Sequence, residues 1–413
     1  MERHMERSPE VDTPDAFLAF RAMTTMLERT ALTDDLLTDF RDRAARHDTT
    51  GTYATDDLAA LRAAGWLRAA LPADRGGFGL DLEALAAEQR RMARFSPATA
   101  LSTCMHHYWV GTAADLAARG VDVAEPVLTW AAAGEVLASG HAEAGNDVPV
   151  ALSTTRATRV PGGWRLDGRK MFGSLGEHWD RLGLHAMDAS DPSAPVVVHG
   201  FVRRDAAGLR TVRNWDAQGM RATESHDTVL DGVYLADAEV LRVVPAGLSD
   251  DPVVGTMQVW ALTLIANVYV GIAERALELA VAHVRSRTSI ALPRGTFAHH
   301  PLVQQQVAAM HLELSAARAQ LDALARDWVT GVDHGPLWGV QVLSAKWRAA
   351  HAAMRVVDTA CEAVGGASYR VGSELERLSR DVRAARFHPG TDAFTHEMVG
   401  KALLGVDPAG PRW

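Results

Sequence analysis

The spacing of the apolar residues changes twice along this chain, and that order restricts the fold more than any single motif. Up to about Gly134 the period is helical. Residues 54–65 show why: Thr55 reads as a cap, Asp56 and Asp57 favour the positive helix end, Leu58 and Leu61 share a face, and Gly65 supplies a left-handed stop. A glycine-rich loop follows at 71–79, then a helix from about Leu82 to Arg94. After about Val136 the texture becomes short β-type runs at 164–166, 196–199, 209–212, 228–230 and 233–235. Gly162-Gly163, Asp167-Gly168 and Asp231-Gly232 read as the turns between them. From about Val254 the helical period returns, with Ile265, Val268, Ile272, Ala276 and Leu279 on one stripe. Further helices are expected at 301–330, 335–364 and 391–405, between glycine and proline breaks.

Helices, then strands, then helices predict a mainly α protein with a central β domain. The expected divisions are a flexible lead at 1–15, a helical domain at 16–135, a β domain at 136–248 and a helical domain at 249–413. The net charge of −9, with no Lys/Arg run, argues against nucleic acid and against anionic lipid as partners. No apolar run reaches the roughly 18 residues of a membrane span. Two cysteines, Cys104 and Cys361, cannot make a disulfide framework, so a reducing, cytoplasmic setting is expected. No His/Cys/Asp/Glu set shows metal spacing, so no metal is expected.

Five segments, in order, resemble the acyl-CoA dehydrogenase superfamily over nearly the whole chain. They are Gly65-Trp-Leu with 71–80, Gly168-Arg-Lys-Met-Phe-Gly-Ser174, 215–223 with 230–233, Ala276-Leu-Glu with Arg287, and Glu362-Ala-Val-Gly-Gly366 with 376–381. The resemblance implies an N-terminal helical domain, a small β domain and a C-terminal four-helix bundle, assembled as a homotetramer or homodimer. It also implies a flavin between β domain and bundle, FAD with FMN as the alternative, and a neighbouring subunit contributing to it.

Within that resemblance Phe172 supplies an aromatic wall and Ser174 a hydroxyl toward the flavin N5 or an oxygen adduct beside it. Arg287 pairs with a phosphate, and Gly365 and Gly366 let backbone amides approach it. Thr391 lies near the cofactor. Asn146 stands where the family has a ligand-facing serine, and Trp260 beside the place where some relatives carry their base. Each has a plainer alternative: a core phenylalanine, a turn serine, a helix-end arginine, a helix stop, a helix cap.

The departures bear on the reaction. The family's glutamate in Y-E-G-T, which takes the proton alpha to a thioester, falls on Pro389 in His388-Pro-Gly-Thr391. Its other location falls on Ala261, and Asp392 sits three residues too far. Glu362 replaces a glutamine. Arg380-Asp-Val-Arg383 followed by His388 resembles instead the flavin monooxygenase branch typified by dibenzothiophene monooxygenase, with Asp381 for its asparagine. In that branch Ser174, His388 and one of His106 or His107 would hold a flavin C4a-hydroperoxide and pass protons, imidazole titrating near neutrality. The leading expectation is therefore a monooxygenase acting on a small organic substrate. A separate reductase would supply reduced flavin, since no G-x-G-x-x-G follows a strand. The alternatives are an acyl-CoA or acyl-carrier-protein dehydrogenase with a relocated base, and a non-catalytic thioester-binding relative. The oxygenase reading expects Phe172, Ser174 and the His388 loop around one isoalloxazine ring.

Overall fold

The computed structural model describes residues 31–292 and 295–407, so the expected lead at 1–15 lies outside the described residues. The N-terminal part consists of α1 (Asp34–Thr50), α2 (Thr55–Ala63), α3 (Leu82–Ala93), α4 (Pro97–Ala118) and α5 (Glu125–Ala132). Thr33 caps α1 by accepting from the Leu36 amide at 3.2 Å, and Gly51 closes it in the left-handed region. Thr55 is not the cap of α2. Its own amide is tied to Tyr53 O at 2.9 Å, so it is already the first helical residue, behind an uncapped Ala54.

Eight strands lie between Leu137 and Pro245: β1 (Leu137–Gly140), β2 (Arg156–Val160), β3 (Gly163–Gly173), β4 (Arg181–Asp188), β5 (Val196–Arg203), β6 (Leu209–Val212), β7 (His226–Ala236) and β8 (Val240–Pro245). They form one sheet in the order β6-β7-β3-β2-β4-β5-β8, with β1 parallel on β4. Gly162-Gly163 does turn the chain from β2 into β3. The two Asp-Gly pairs do not turn it. They sit opposite one another in the β3–β7 ladder, at a shift of register between Leu166 and Gly168. There Asp167 accepts from the Gly232 amide at 2.9 Å, and Gly232 takes φ 65°, so the expected turns are a bulge within continuous strands.

The C-terminal part holds α6 (Pro252–Ser286), α7 (Pro301–Thr330), α8 (Trp338–Val364), α9 (Glu374–Asp381) and α10 (Asp392–Leu404). Helix α6 packs on α3, α4, α7 and α8, which is why it is apolar nearly all round. It is long and apolar enough by composition to cross a membrane, against expectation, yet 83% of that apolar window is buried inside the fold. The need for a helix apolar on every face comes from its central position.

Inside the sheet, Lys170 on β3 meets Glu143 at 2.5 Å, both fully buried. Glu143 also accepts from Ser153 Oγ, Thr155 Oγ1 and the Thr155 amide at 2.7, 2.7 and 3.0 Å. Burial alone would raise this carboxyl, but the ammonium and hydroxyls bring it down to about 2. The pair fixes the segment after β1 against β3, where Ala142 O accepts from the Met171 amide at 2.8 Å.

Candidate flavin site

The end of β3 is strained where the sequence places its aromatic and hydroxyl. Phe172 and Leu175, both non-glycine, have φ of 59° and 85°, a conformation costing on the order of 1–3 kcal/mol. The strain turns the Phe172 ring outward, 52% exposed, with its centroid 6.1 Å from the Trp215 ring. It turns Ser174 inward. The Ser174 hydroxyl is buried and lies 2.9 Å from Ser225 Oγ, which lies 2.7 Å from Thr223 Oγ1. Thr223 donates to Met220 O at 2.8 Å, and Trp215 Nε1 to the same oxygen at 3.2 Å. An exposed aromatic wall thus stands beside a file of three hydroxyls.

This file runs into the C-terminal helices. The Met220 amide donates to Asp381 Oδ1 at 2.5 Å. Gly219 presses so closely on α9 that a Cβ there would sit 2.3 Å from Arg380 O, which only glycine permits. Arg380 locks the contact through Asp48, Glu376 and Gln218 O. Asp381 is buried, which raises its carboxyl to about 6; the Met220 amide opposes the rise and Asp48 adds to it.

Tyr269 of α6 is the next group. It is fully buried with no hydrogen-bond partner for its hydroxyl among the described residues, and burial, then Asp381 and Cys104, hold its pKa well up. Its ring centroid is 5.5 Å from that of His388. His388 lies in the turn between Asp381 and α10, its pKa lowered to about 3 by burial and by Lys346. The near-neutral titration expected of this imidazole is therefore corrected: it is uncharged throughout the working range, a neutral donor or acceptor.

His106 and His107 diverge because adjacent helical residues point about 100° apart. Leu67 O lies 2.7 Å from His106 Nε2, and the Leu137 amide donates to Nδ1 at 3.2 Å. Both ring nitrogens thus serve backbone groups, and burial lowers the pKa to about 4, which fits a clip rather than a proton carrier. His107 is fully buried, has no partner on either nitrogen among the described residues and packs edge-on to Trp66 at 5.2 Å. Asn146 is consumed by Glu143, Leu152 O and the Val148 amide. Trp260 is buried with its Nε1 on Asp115 at 3.1 Å. Thr391 caps α10 by accepting from the Phe394 amide at 3.4 Å. Asp392 is engaged by His351 at 2.8 Å.

Arg287 ends α6 and donates to Val364 O at 3.1 Å, its guanidinium 4.1 Å from the Phe297 ring centroid. Gly365 beside it has φ 74° and is followed by exposed Gly366. A half-exposed arginine next to two glycine amides is a fit for a phosphate. This corner is far from Tyr269 in the same chain. Arg287 lies 18 residues beyond Tyr269 on one helix, about 27 Å along its axis at roughly 1.5 Å per residue.

A flavin matches these residues on two observations: the wall of Phe172 and Trp215 beside a buried hydroxyl file, and the buried Tyr269 hydroxyl, which among the described residues has no partner, at a cost on the order of 1–3 kcal/mol unless something meets it. Ser225, Asp381 and Tyr269 were not singled out as site residues from sequence. Ser225 follows a quoted segment by two residues, whereas Tyr269 hides in an apolar helical stripe.

Comparison with known proteins agrees with this fold. A family model for the acyl-CoA dehydrogenase C-terminal domain matches residues 260–404. The chain is 30% identical over 368 residues to a putative acyl-CoA dehydrogenase, YdbM, of Bacillus subtilis, covering 88% of this chain and 94% of that one. It is 31% identical over 377 residues to L-evernosamine nitrososynthase of Micromonospora sp., covering 88% and 87%. A solved structure of KijD3 in complex with FMN and dTDP-3-amino-2,3,6-trideoxy-4-keto-3-methyl-D-glucose matches with a TM-score of 0.79 at 26% identity, covering 97% and 96%. A protein with this fold and these relatives is a flavin-dependent oxidoreductase that acts on a small molecule. More particularly, the chain belongs to the acyl-CoA dehydrogenase superfamily.

Proposed function

We propose that this enzyme is a flavin monooxygenase that oxidises the amine nitrogen of a small polar substrate. The observation that carries the reading is the hydroxyl file from Ser174 beside Phe172, which reaches Asp381 through the Met220 backbone, with an uncharged His388 against Tyr269 and proline where dehydrogenases carry their base. Reduced flavin, when bound, would supply the two electrons for O2 so that, with two protons, one oxygen atom passes to the substrate and the other leaves as water. The amine as substrate class follows the nitrososynthase and the amino-sugar complex of KijD3.

The chain's own residues have simple tasks in this reading. Phe172 and Trp215 wall the ring. Because Thr223 donates to Met220 O, Ser225 donates to Thr223 and Ser174 to Ser225, so Ser174 Oγ turns a lone pair to the ligand side. His388 offers a neutral nitrogen, and Tyr269 and His107 offer polar atoms to the ligand side. His106, Asn146, Trp260 and Thr391 are assigned to support. A separate reductase delivers the flavin, FMN or FAD, whose phosphate Arg287, Gly365 and Gly366 receive. The roughly 27 Å between that corner and Tyr269 favours service to a second subunit. We read α6, α7, α8 and α10 as the four-helix bundle of a homo-oligomer. Exposed Leu403, Leu404, Tyr369, Val371 and Phe387 supply apolar surface for it.

The second reading, an acyl-CoA dehydrogenase, is favoured by one observation: Asp381 is a buried carboxylate with its pKa raised to about 6, as a general base requires. Anaerobic addition of acyl-CoA thioesters to the flavin-loaded protein separates the two. No bleaching is expected; bleaching without oxygen would reject the monooxygenase.

A further inference from the structure

Lys346 lies on α8 and is 3% exposed. Its ammonium donates to three backbone carbonyls: Gly390 O at 2.9 Å, Ala385 O at 3.1 Å and His388 O at 3.4 Å. These oxygens belong to one turn, and that turn carries His388 and Pro389. An ammonium has three donors, and here each has one partner. Among the described residues no carboxylate lies within ion-pair distance of it, so the buried charge is solvated by the turn itself. Packing reinforces the grip. A Cβ at Gly390 would meet Leu343 Cδ2 at 3.2 Å and Lys346 Cδ at 3.5 Å, and Thr395 Oγ1 donates to Gly390 O at 3.2 Å.

We propose that Lys346 is a positioning residue: its charged ammonium gathers the 385–390 turn and thereby holds the His388 imidazole against Tyr269. The proposal rests on the oxygenase reading only for what His388 then does; the clamp stands on geometry. A neutral amine has two N–H groups and a lone pair. Deprotonation therefore turns one carbonyl contact from attraction to repulsion, and the longest, to His388 O, yields first. Burial lowers the Lys346 pKa to about 8, so this happens within the working range of an enzyme. The groups facing it do not substitute for the charge. Asp392 of α10 acts in the opposite direction and is engaged by His351, His388 is neutral, and Arg386 donates to Met354 Sδ at 3.1 Å.

The test uses the full chain loaded with FMN. Hydrogen exchange of peptides spanning 385–391 is measured at pH 7 and pH 9, corrected for intrinsic rates, for wild type, Lys346→Met and Lys346→Gln. Hydrogen peroxide release on mixing the reduced, FMN-loaded proteins with oxygen is followed in parallel, with His388→Ala as reference. At about one pH unit above the pKa some nine-tenths of the lysine is neutral. Wild type is expected to lose about tenfold protection in this segment between pH 7 and pH 9 and to release peroxide faster. Lys346→Met is expected to show both changes already at pH 7, with no further response to pH. If Lys346→Met does not fold, the wild-type pH series and Lys346→Gln, which keeps donors but no charge, decide the matter. Unchanged protection in the variants and across the pH series overturns the clamp. Reduced protection with wild-type peroxide release, where His388→Ala raises that release, overturns the positioning of His388. Wild-type release by His388→Ala would strike the oxygenase reading instead, and the exchange data would still judge the clamp.

Discussion

Replacing Asp381 by asparagine should stabilise this protein at neutral pH, and the structure gives the size of the effect. Asp381 Oδ1 accepts from the buried Met220 amide at 2.5 Å, a bond that an asparagine carbonyl can also make. What asparagine lacks is the charge. Burial raises the carboxyl from 3.8 to about 6 in the folded state. The folded protein therefore binds the proton more tightly than the unfolded chain, so this group's stabilising contribution is complete below about pH 4. It declines as pH rises through about 6 and is flat above that. At roughly 1.4 kcal/mol per pH unit, ionising Asp381 at pH 7 costs on the order of 3 kcal/mol. Asp381→Asn should recover an amount of that order at pH 7 and almost none at pH 4. Asp381→Ala should not, because it strands the Met220 amide at a cost on the order of 1–3 kcal/mol. Urea midpoints between pH 4 and pH 7.5 measure all three proteins. A gap between Asp381→Asn and wild type that is absent at pH 7, or the same at every pH, refutes the reasoning.

Other substitutions separate support from chemistry. His106→Ala should destabilise by on the order of 2–3 kcal/mol by orphaning Leu67 O and the Leu137 amide, while flavin-loaded protein that remains folded keeps its oxygen reaction; a lost reaction at full loading would restore His106 to the chemistry. Glu143→Gln leaves the Lys170 ammonium buried without its partner carboxylate and should cost on the order of 3–5 kcal/mol, read as a fallen melting temperature. Arg287→Ala should weaken FMN binding about tenfold or more by fluorescence titration, as expected for loss of a charge-assisted phosphate contact. Affinity equal to wild type would return Arg287 to its role as a helix end.

The alternation of helical and strand periods was readable where an element buries one side. The 301–330 helix ends at Gly331 just as its apolar stripe does. The Asp-Gly pairs misled because the same two residues that make a tight turn also make a bulge. Only the partner strand, which puts Asp167 against the Gly232 amide, decides between them. Of the candidate site, Phe172 and Ser174 were legible only through the resemblance of Gly168-Arg-Lys-Met-Phe-Gly-Ser174 to the family's flavin-facing strand, since by themselves they read as a core phenylalanine and a turn serine. Lys346 was not, since a lone lysine in a helix reads as solvated surface until the turn that wraps it is seen. The neutrality of His388 was also hidden, because an imidazole's pKa belongs to its surroundings, here a buried turn and the Lys346 charge.

The most direct measurement mixes the reduced, FMN-loaded protein with oxygenated buffer and follows the flavin spectrum in a rapid-mixing instrument. The account predicts a band distinct from both reduced and oxidised flavin that persists for seconds and is shortened by Ser174→Ala and by His388→Ala. Immediate one-step reoxidation, unaltered by either substitution, would contradict it.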